Sequence, residues 1–304
     1  MPPEPLPSTP PPGRGAWLLA SALWLATLIT TTTCGVLWLE GRAASDLPWT
    51  SPQVLLRVWT DPQLRAAGLA YALPLLVILL CHELGHYLTC RHYQLPATPP
   101  FFLPAPFGLG TLGAFIRIRQ PIRSKRVLFD VGIGGPLAGF VALLPFLVYG
   151  IAHSRPELPA AGEQLVLGEN LAALLLRHAF HGALPAGYGL HLHPFALAAW
   201  VGQLATTLNL LPLGQLDGGH VLYAVAGRWQ RRLMVPLWGL LALGGLLWPG
   251  WGLWALIALA LGLRHPQVRD EAMPLDRRRL LLAGLALVIF VLCWMPVPVA
   301  VVGP

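Results

Sequence analysis

The sequence predicts an all-α, polytopic membrane protein of about six to seven transmembrane segments, with a small membrane-associated β element near residues 111–119. Three observations lead there. Of 304 residues, 55% are hydrophobic and only 11% are charged, a balance that suits lipid better than water as the solvent. Apolar runs of membrane length recur, judged by about 1.5 Å of rise per helical residue and a hydrocarbon core of about 30 Å. The polar stretches between these runs share Arg and Lys unevenly, as the loops of membrane proteins do. The net charge is +7, but the basic residues are not interleaved with aromatics on a soluble face. A lipid bilayer, and no nucleic acid, is therefore the expected partner. Cys34, Cys81, Cys90 and Cys293 lie in or at the ends of apolar segments without CxxC spacing and read as small packing residues.

Taken in order, residues 1–15 are dense in proline and predict a disordered, polyproline-like tail. Residues 16–66 comprise an anchor helix at 16–39 and a polar connector at 41–65. A cleaved signal peptide is the alternative for the first run, with Ala43-Ala44-Ser45 as its site. The length of the run, preceded by Arg14 alone, favours a retained anchor. Residues 67–227 form the transmembrane core. Its first helix spans 67–90, and Pro96, Pro99, Pro100, Pro104 and Pro106 then exclude a regular helix or a central strand over 95–113. With Phe101, Phe102 and Phe107 keeping that stretch apolar, it reads as a loop dipping into the interface. From Thr111 to Arg119 the pattern has period two, with Phe115, Arg117 and Arg119 on one side and Ala114, Ile116 and Ile118 on the other, which predicts a short strand.

The next span is 127–152, where Gly132, Gly134, Gly135 and Gly139 permit close helix approach around Pro136. Asp130, near its start, is either an interfacial charge or a structural group near the site. Residues 153–193 are the longest hydrophilic connection, and the irregular spacing of His178, His181, His191 and His193 marks solvated loop histidines. A further span at 194–212 runs into a segment broken by Pro212, Gly214, Gly218 and Gly219. Residues 228–304 supply the C-terminal helices. Here 234–248 and 251–263 read as a helical hairpin around Pro249-Gly250, with one kinked helix as the alternative, and 280–302 is the last span.

The chemistry concentrates at His82-Glu83-Leu84-Gly85-His86. On a helix, His82 and His86 share a face and can offer two imidazoles to one metal, with Glu83 beside them. Ionisable side chains within an apolar segment are costly and therefore usually functional. A hydrolytic zinc site takes three protein ligands and leaves a position for water. Asp217 is the expected third ligand, because it lies in a broken intramembrane segment flanked by glycines, and His220 is the runner-up. Glu83 is the expected general base. Asn209 is expected either to hydrogen-bond substrate backbone or oxyanion, or to cap the broken helix. Gly113, Ala114 and Phe115 belong to a strand whose free edge can hold an unwound substrate segment.

Charge gives the expected orientation. With the N-terminus inside and a hairpin at 234–263, one side carries 15 of the 20 Arg and Lys residues and the other carries five. Cytoplasmic loops hold the excess of basic residues. The bias puts the N-terminus and the HExxH end of its helix at the cytoplasmic face, and Asp217 returns to that same face.

These motifs resemble the site-2 protease family of intramembrane zinc metalloproteases, in which an HExxH on one transmembrane helix and an LDG on a later one form the metal site. Leu216-Asp217-Gly218 is the LDG here. The likeness extends to Asn209 and Pro212, to Gly134-Gly135-Pro136 and to the stretch 110–114, and covers about 67–227. It implies a hydrolase with one Zn2+ per chain that cleaves transmembrane protein substrates, to release a signalling protein or to clear peptide remnants. A bacterial cytoplasmic membrane is the expected location. Many bacterial members carry a PDZ domain, for which 153–193 is too short, so a compact type is expected. Two rival readings are a catalytically silent relative that binds membrane helices and a zinc transporter. Intact Glu83 argues against the first. Against the second, the ionisable groups cluster near one face instead of lining a path.

Overall fold

The computed structural model describes residues 13–40, 52–158, 164–263, 268–271 and 273–302. Of the tail expected at 1–15, residues 1–12 lie outside them, as does the cleavage site at 43–45, while Arg14 and Gly15 are helical. Helix α1 (Arg14–Leu39) starts two residues before the expected anchor. The segment expected to be a polar connector contains α2 (Pro52–Thr60) and the first turn of α3 (Pro62–His92). Both helices open on a proline, whose missing N–H is one the first turn leaves unpaired anyway. Asp61 caps α3 by accepting from Gln63 N at 2.8 Å and from Leu64 N. A polar composition was compatible with helix here because capping residues are themselves polar.

Strand β1 (Phe101–Pro104) pairs antiparallel with β2 (Thr111–Phe115), Phe101 opposite Phe115 and Phe102 opposite Ala114. The ladder continues irregularly towards the α3 end through an Ala97–Ile118 bridge, Thr98 N to Arg117 O at 3.0 Å and Arg119 N to Pro96 O at 2.8 Å. The proline-rich stretch is thus half of a hairpin and not the loop expected from its composition. In a two-stranded sheet every strand is an edge, where proline is tolerated. The tip of the hairpin is tied down from two helices. Thr30 Oγ1 donates to Gly110 O at 2.6 Å, Trp38 Nε1 to Gly108 O at 2.9 Å and Tyr71 OH to Leu109 O at 3.0 Å. Gly110, at φ +85°, lies so close to the Thr31 backbone that a Cβ there would collide with it.

Helix α4 (Lys125–Ala152) follows. The connection expected to be a hydrophilic loop is ordered into β3 (Arg155–Glu157), β4 (Gln164–Leu167), α5 (Leu171–His181) and β5 (Gly189–His191), with β3 paired to β5. Asn170 caps α5 through Ala173 N at 2.8 Å. His181 is not simply solvated, because its Nε2 bonds to Ile151 O at 2.7 Å. Helix α6 (Pro194–Leu210) is followed by α7 (Asp217–Ala226), a 3₁₀ turn, α8 (Gln230–Gly244) and α9 (Pro249–Leu261). The last two are separate helices, as the hairpin reading of 234–263 expects. Helix α10 (Arg277–Cys293) ends nine residues before the expected last span does. Beyond Pro296 and Pro298 the chain forms β6 (Val299–Val302), which pairs with β4.

The described chain is mostly helical, and α1, α3 and α4 are long and apolar enough to cross a membrane. Helices α3, α4 and α6 pack as the centre. Tyr71, Leu75 and Leu76 meet Leu197, Trp200 and Val201, while Ile78 meets Leu143, Leu147 and Ala199. Small residues let the backbones approach: a Cβ on Gly150 would strike the Ala196 backbone, and one on Gly35 would enter the Tyr71 ring.

The N-terminus of α6 carries a pH-sensitive cap. His193 Nδ1 accepts the Phe195 N–H at 3.2 Å, which requires the unprotonated nitrogen. Burial, then the neighbouring His153, lowers the His193 pKa from 6.5. The folded state therefore binds this proton less readily than the unfolded chain, so the cap's contribution is complete above pH 6.5 and declines as pH falls below it. Thermal melts in detergent should lose stability on acidification through this range. His193→Ser, which keeps a capping oxygen, should flatten part of that slope, and an unchanged slope would remove His193 from the effect.

Candidate metal centre

Helix α3 delivers His82, Glu83 and His86 within one and a half turns, each less than a tenth exposed. The surroundings of His86 fix the tautomer of its neutral ring: Nδ1 lies 2.7 Å from Val131 O and must donate to it, which leaves Nε2 of that form as a lone pair. That nitrogen faces His82 Nε2 at 3.2 Å and Asp217 Oδ2 at 3.2 Å, and His82 Nε2 stands 3.3 Å from the same oxygen. These three residues form a group that could hold a metal ion, its donor atoms all within 4.8 Å of one another.

The triangle can be tested against a metal. Tetrahedral bonds of about 2.0–2.1 Å put neighbouring donors about 3.3–3.4 Å apart, because the edge of a tetrahedron is about 1.63 times the bond. The observed edges of 3.2, 3.2 and 3.3 Å fit zinc. The donor set also fits, since lone pairs facing one another repel until a cation lies among them.

Asp217 reaches this point because the chain breaks between α6 and α7. Leu213 N bonds to Leu211 O and Leu216 N to Leu213 O, closing tight turns that satisfy the backbone without a helix. Gly218 and Gly219 let α7 begin directly against those carbonyls, and a Cβ on Gly219 would come within 2.5 Å of Gly214 O. Non-helical backbone at membrane depth is tolerated where protein surrounds it.

Helix α4 is the cradle. A Cβ at Gly135 would overlap the His86 ring, one at Gly139 would come within 3.1 Å of His82, and one at Gly134 within 2.7 Å of Thr89 Oγ1. Gly85, inside the motif, lies equally close to the Gly134 backbone. The glycines thus bring α4 near enough for Val131 O to orient His86.

Of the remaining expected residues, Asn209 is beside the metal group, its Nδ2 at 3.2 Å from His82 Nε2. The backbone of Ile116, the residue after β2, lies close to the Glu83 carboxylate. Gly113, Ala114 and Phe115 lie on β2 itself, next to that contact. His220 is outside the metal-ligating group; its Cβ packs where a Cβ on Gly132 would go, at 2.8 Å. Asp130 is structural, taking Tyr93 OH at 2.5 Å and a two-pronged ion pair from Arg279. It thereby ties the ends of α3, α4 and α10 together. Tyr93 and Arg279 escaped the sequence reading. The signal was Asp130 itself, since a carboxylate in an apolar run demands a basic partner, and the arginines heading a later run were candidates.

A membrane-length helix that joins two histidines of an HExxH to an aspartate at a later helix break defines the class of membrane metallopeptidases. The sequence profile of peptidase family M50 matches residues 70–236. The chain belongs to that family, the site-2 proteases that the motifs resemble, and zinc is the metal it uses. It is similar to the "probable zinc metalloprotease EGY1, chloroplastic" of Oryza sativa subsp. japonica, 32% identical over 262 residues, covering 77% of this chain and 43% of that protein. The Arabidopsis thaliana protein of the same name is 29% identical over 307 residues, covering 92% and 53%. The Arabidopsis "probable zinc metalloprotease EGY2, chloroplastic" is 32% identical over 176 residues, covering 57% and 32%. The chain thus spans about half or less of the length of these relatives. No solved structure matches. The chloroplastic names of these relatives lend the expected bacterial cytoplasmic membrane no support; what stands is a membrane protein.

Gly135→Ala should put a methyl group against the His86 ring and leave α4 helical. Zinc analysis of the purified protein should show a large loss of bound metal with an unchanged circular dichroism spectrum. Full zinc content would contradict the cradle.

Proposed function

We propose that this chain is a zinc-dependent intramembrane endopeptidase, hydrolysing peptide bonds in or near transmembrane segments of membrane proteins. The observation that carries this reading is the meeting of His82, His86 and Asp217 at one largely buried point, with Glu83 close to the backbone just beyond β2. In this reading His82, His86 and Asp217 hold the zinc. When bound, it supplies a Lewis acid and an acidified water. Glu83 takes the proton from the attacking water on its carboxylate and delivers it to the leaving amine. Asn209 presents its amide N–H to the carbonyl under attack, since His82 Nε2 is then occupied by the metal.

A helical substrate has its carbonyls locked in internal hydrogen bonds and must be opened before attack. The outer edge of β2 offers unpaired backbone groups to an extended segment. Residues 113–115 hold that segment so that its scissile bond lies near Glu83. The membrane frame comprises α1, α3 and α4, with α6 and α10 at 17 residues each just long enough to cross. Helices α8 and α9, as two short passes, bring the spans to seven. The arginine-rich side, holding the N-terminus and the site, faces the compartment from which membrane proteins are inserted.

Glu83→Gln should abolish cleavage of a co-expressed transmembrane substrate and retain zinc, measured by immunoblot and by metal analysis of the same preparation. Asp217→Ala should weaken zinc by more than the roughly 10–100-fold that loss of an outer partner costs. Full cleavage by the Glu83→Gln protein would remove that residue from the role of base.

A further inference from the structure

Two features of the hairpin are not used by this mechanism: Arg117 and Arg119, set in the period-two pattern just beyond β2. Both are exposed, as is Phe115 on the same side of the strand, while Ile116 and Ile118 pack inward around Cys90, Ala97 and Val131. Among the described residues no carboxylate pairs with either guanidinium. Ion pairs elsewhere on the same face show that the chain supplies acids where it needs them, as Asp130 and Asp276 do for Arg279.

The backbone says which way the edge runs. Arg117 exchanges bonds with Thr98, its N–H going to Thr98 Oγ1 at 2.9 Å and its carbonyl taking Thr98 N at 3.0 Å, and Arg119 N bonds to Pro96 O. Both arginines therefore turn their backbone groups towards the 96–98 arm. Successive residues of a strand alternate, so Ile116 turns its N–H the other way, towards the side where the Glu83 carboxylate lies. The free edge of the hairpin and the carboxylate of the site lie on one side. A segment held on that edge and leaving the site towards the end of α3 runs beside Arg117 and Arg119. Its side chains become their cross-strand neighbours, one and three residues beyond the residue opposite Ile116.

Resting on the protease reading above, we propose that Arg117 and Arg119 are specificity residues that select substrates carrying acidic side chains within about four residues of the cut, on the side where the chain leaves the membrane. Opposite charges across a strand pair attract and like charges repel. The arginine-rich face is the one where ordinary transmembrane segments also carry Lys and Arg. The pair therefore acts as a filter: it disfavours the common basic flank and favours the uncommon acidic one.

The test uses the full chain bearing Glu83→Gln, zinc-loaded in detergent, and two fluorescent peptides that share one apolar segment flanked at both ends by Asp-Asp or by Lys-Lys. Fluorescence anisotropy at low salt should show the acidic peptide bound about three- to tenfold more tightly, the range two exposed opposite-charge pairs give. The gap should close at high ionic strength. Arg117→Glu with Arg119→Glu should reverse the order, and the milder Arg117→Gln with Arg119→Gln should level it. Equal affinities with both arginines present, or a preference that survives their replacement, overturn the selector and leave the protease reading intact. Binding of neither peptide refutes strand capture and the selector with it. Anionic vesicles that bind through these arginines while the peptides are not discriminated assign the pair to lipid and overturn the proposal.

Discussion

Three electron-pair donors that face one another inside an apolar helix packing are unstable without a cation, and the rest of the molecule is built to keep them there. The Val131 carbonyl takes the Nδ1 proton of His86, so the neutral ring turns its other nitrogen as a lone pair towards His82 and Asp217. In water such a cluster would disperse. Here α3 cannot rotate away because Gly85, Gly134, Gly135 and Gly139 let its backbone and its two histidines sink into α4. Any side chain larger than hydrogen at Gly135 would occupy the space of the imidazole.

The second constraint is delivery of Asp217. An aspartate within a continuous apolar helix would point wherever the helical period put it. The break at 211–216 frees the chain to turn and to restart a helix with Asp217 in its first turn, where the helix dipole favours a negative charge. The same break leaves Asn209 at the end of α6 beside His82. One irregular stretch thus brings two polar groups to the site from the side opposite α3. The hairpin closes a third side, held at its tip by Thr30, Trp38 and Tyr71, with the Ile116 backbone close to Glu83.

What the sequence disclosed followed the range of the interactions concerned. The four-residue spacing of His82 and His86 is a local property of one helix, and so is the alternation from Ala114 to Arg119; both were legible. Asp217 was legible because glycine and proline mark a break and because a buried acid needs a partner. Strand β1 was hidden because its prolines obey an edge rule that applies only once β2 is known to be its neighbour. Strand β6 was hidden for a similar reason: Val299–Val302 continues the apolar composition of α10, and only pairing with β4 distinguishes a strand from the end of a span. Helix α5 combines good helix formers with a polar cap, but its setting among histidines and glycines masked it. The Tyr93–Asp130–Arg279 tie joins residues up to 186 positions apart, and one sequence read alone does not indicate which arginine is chosen.

In the proposed site one zinc ion joins α3 to the start of α7. X-ray absorption at the zinc edge of the purified full chain tests it most directly. Two imidazole nitrogens and a carboxylate oxygen at about 2.0–2.2 Å are predicted, with one imidazole lost in His86→Ala. A sulfur ligand, or a shell unchanged by Asp217→Ala, would contradict the account.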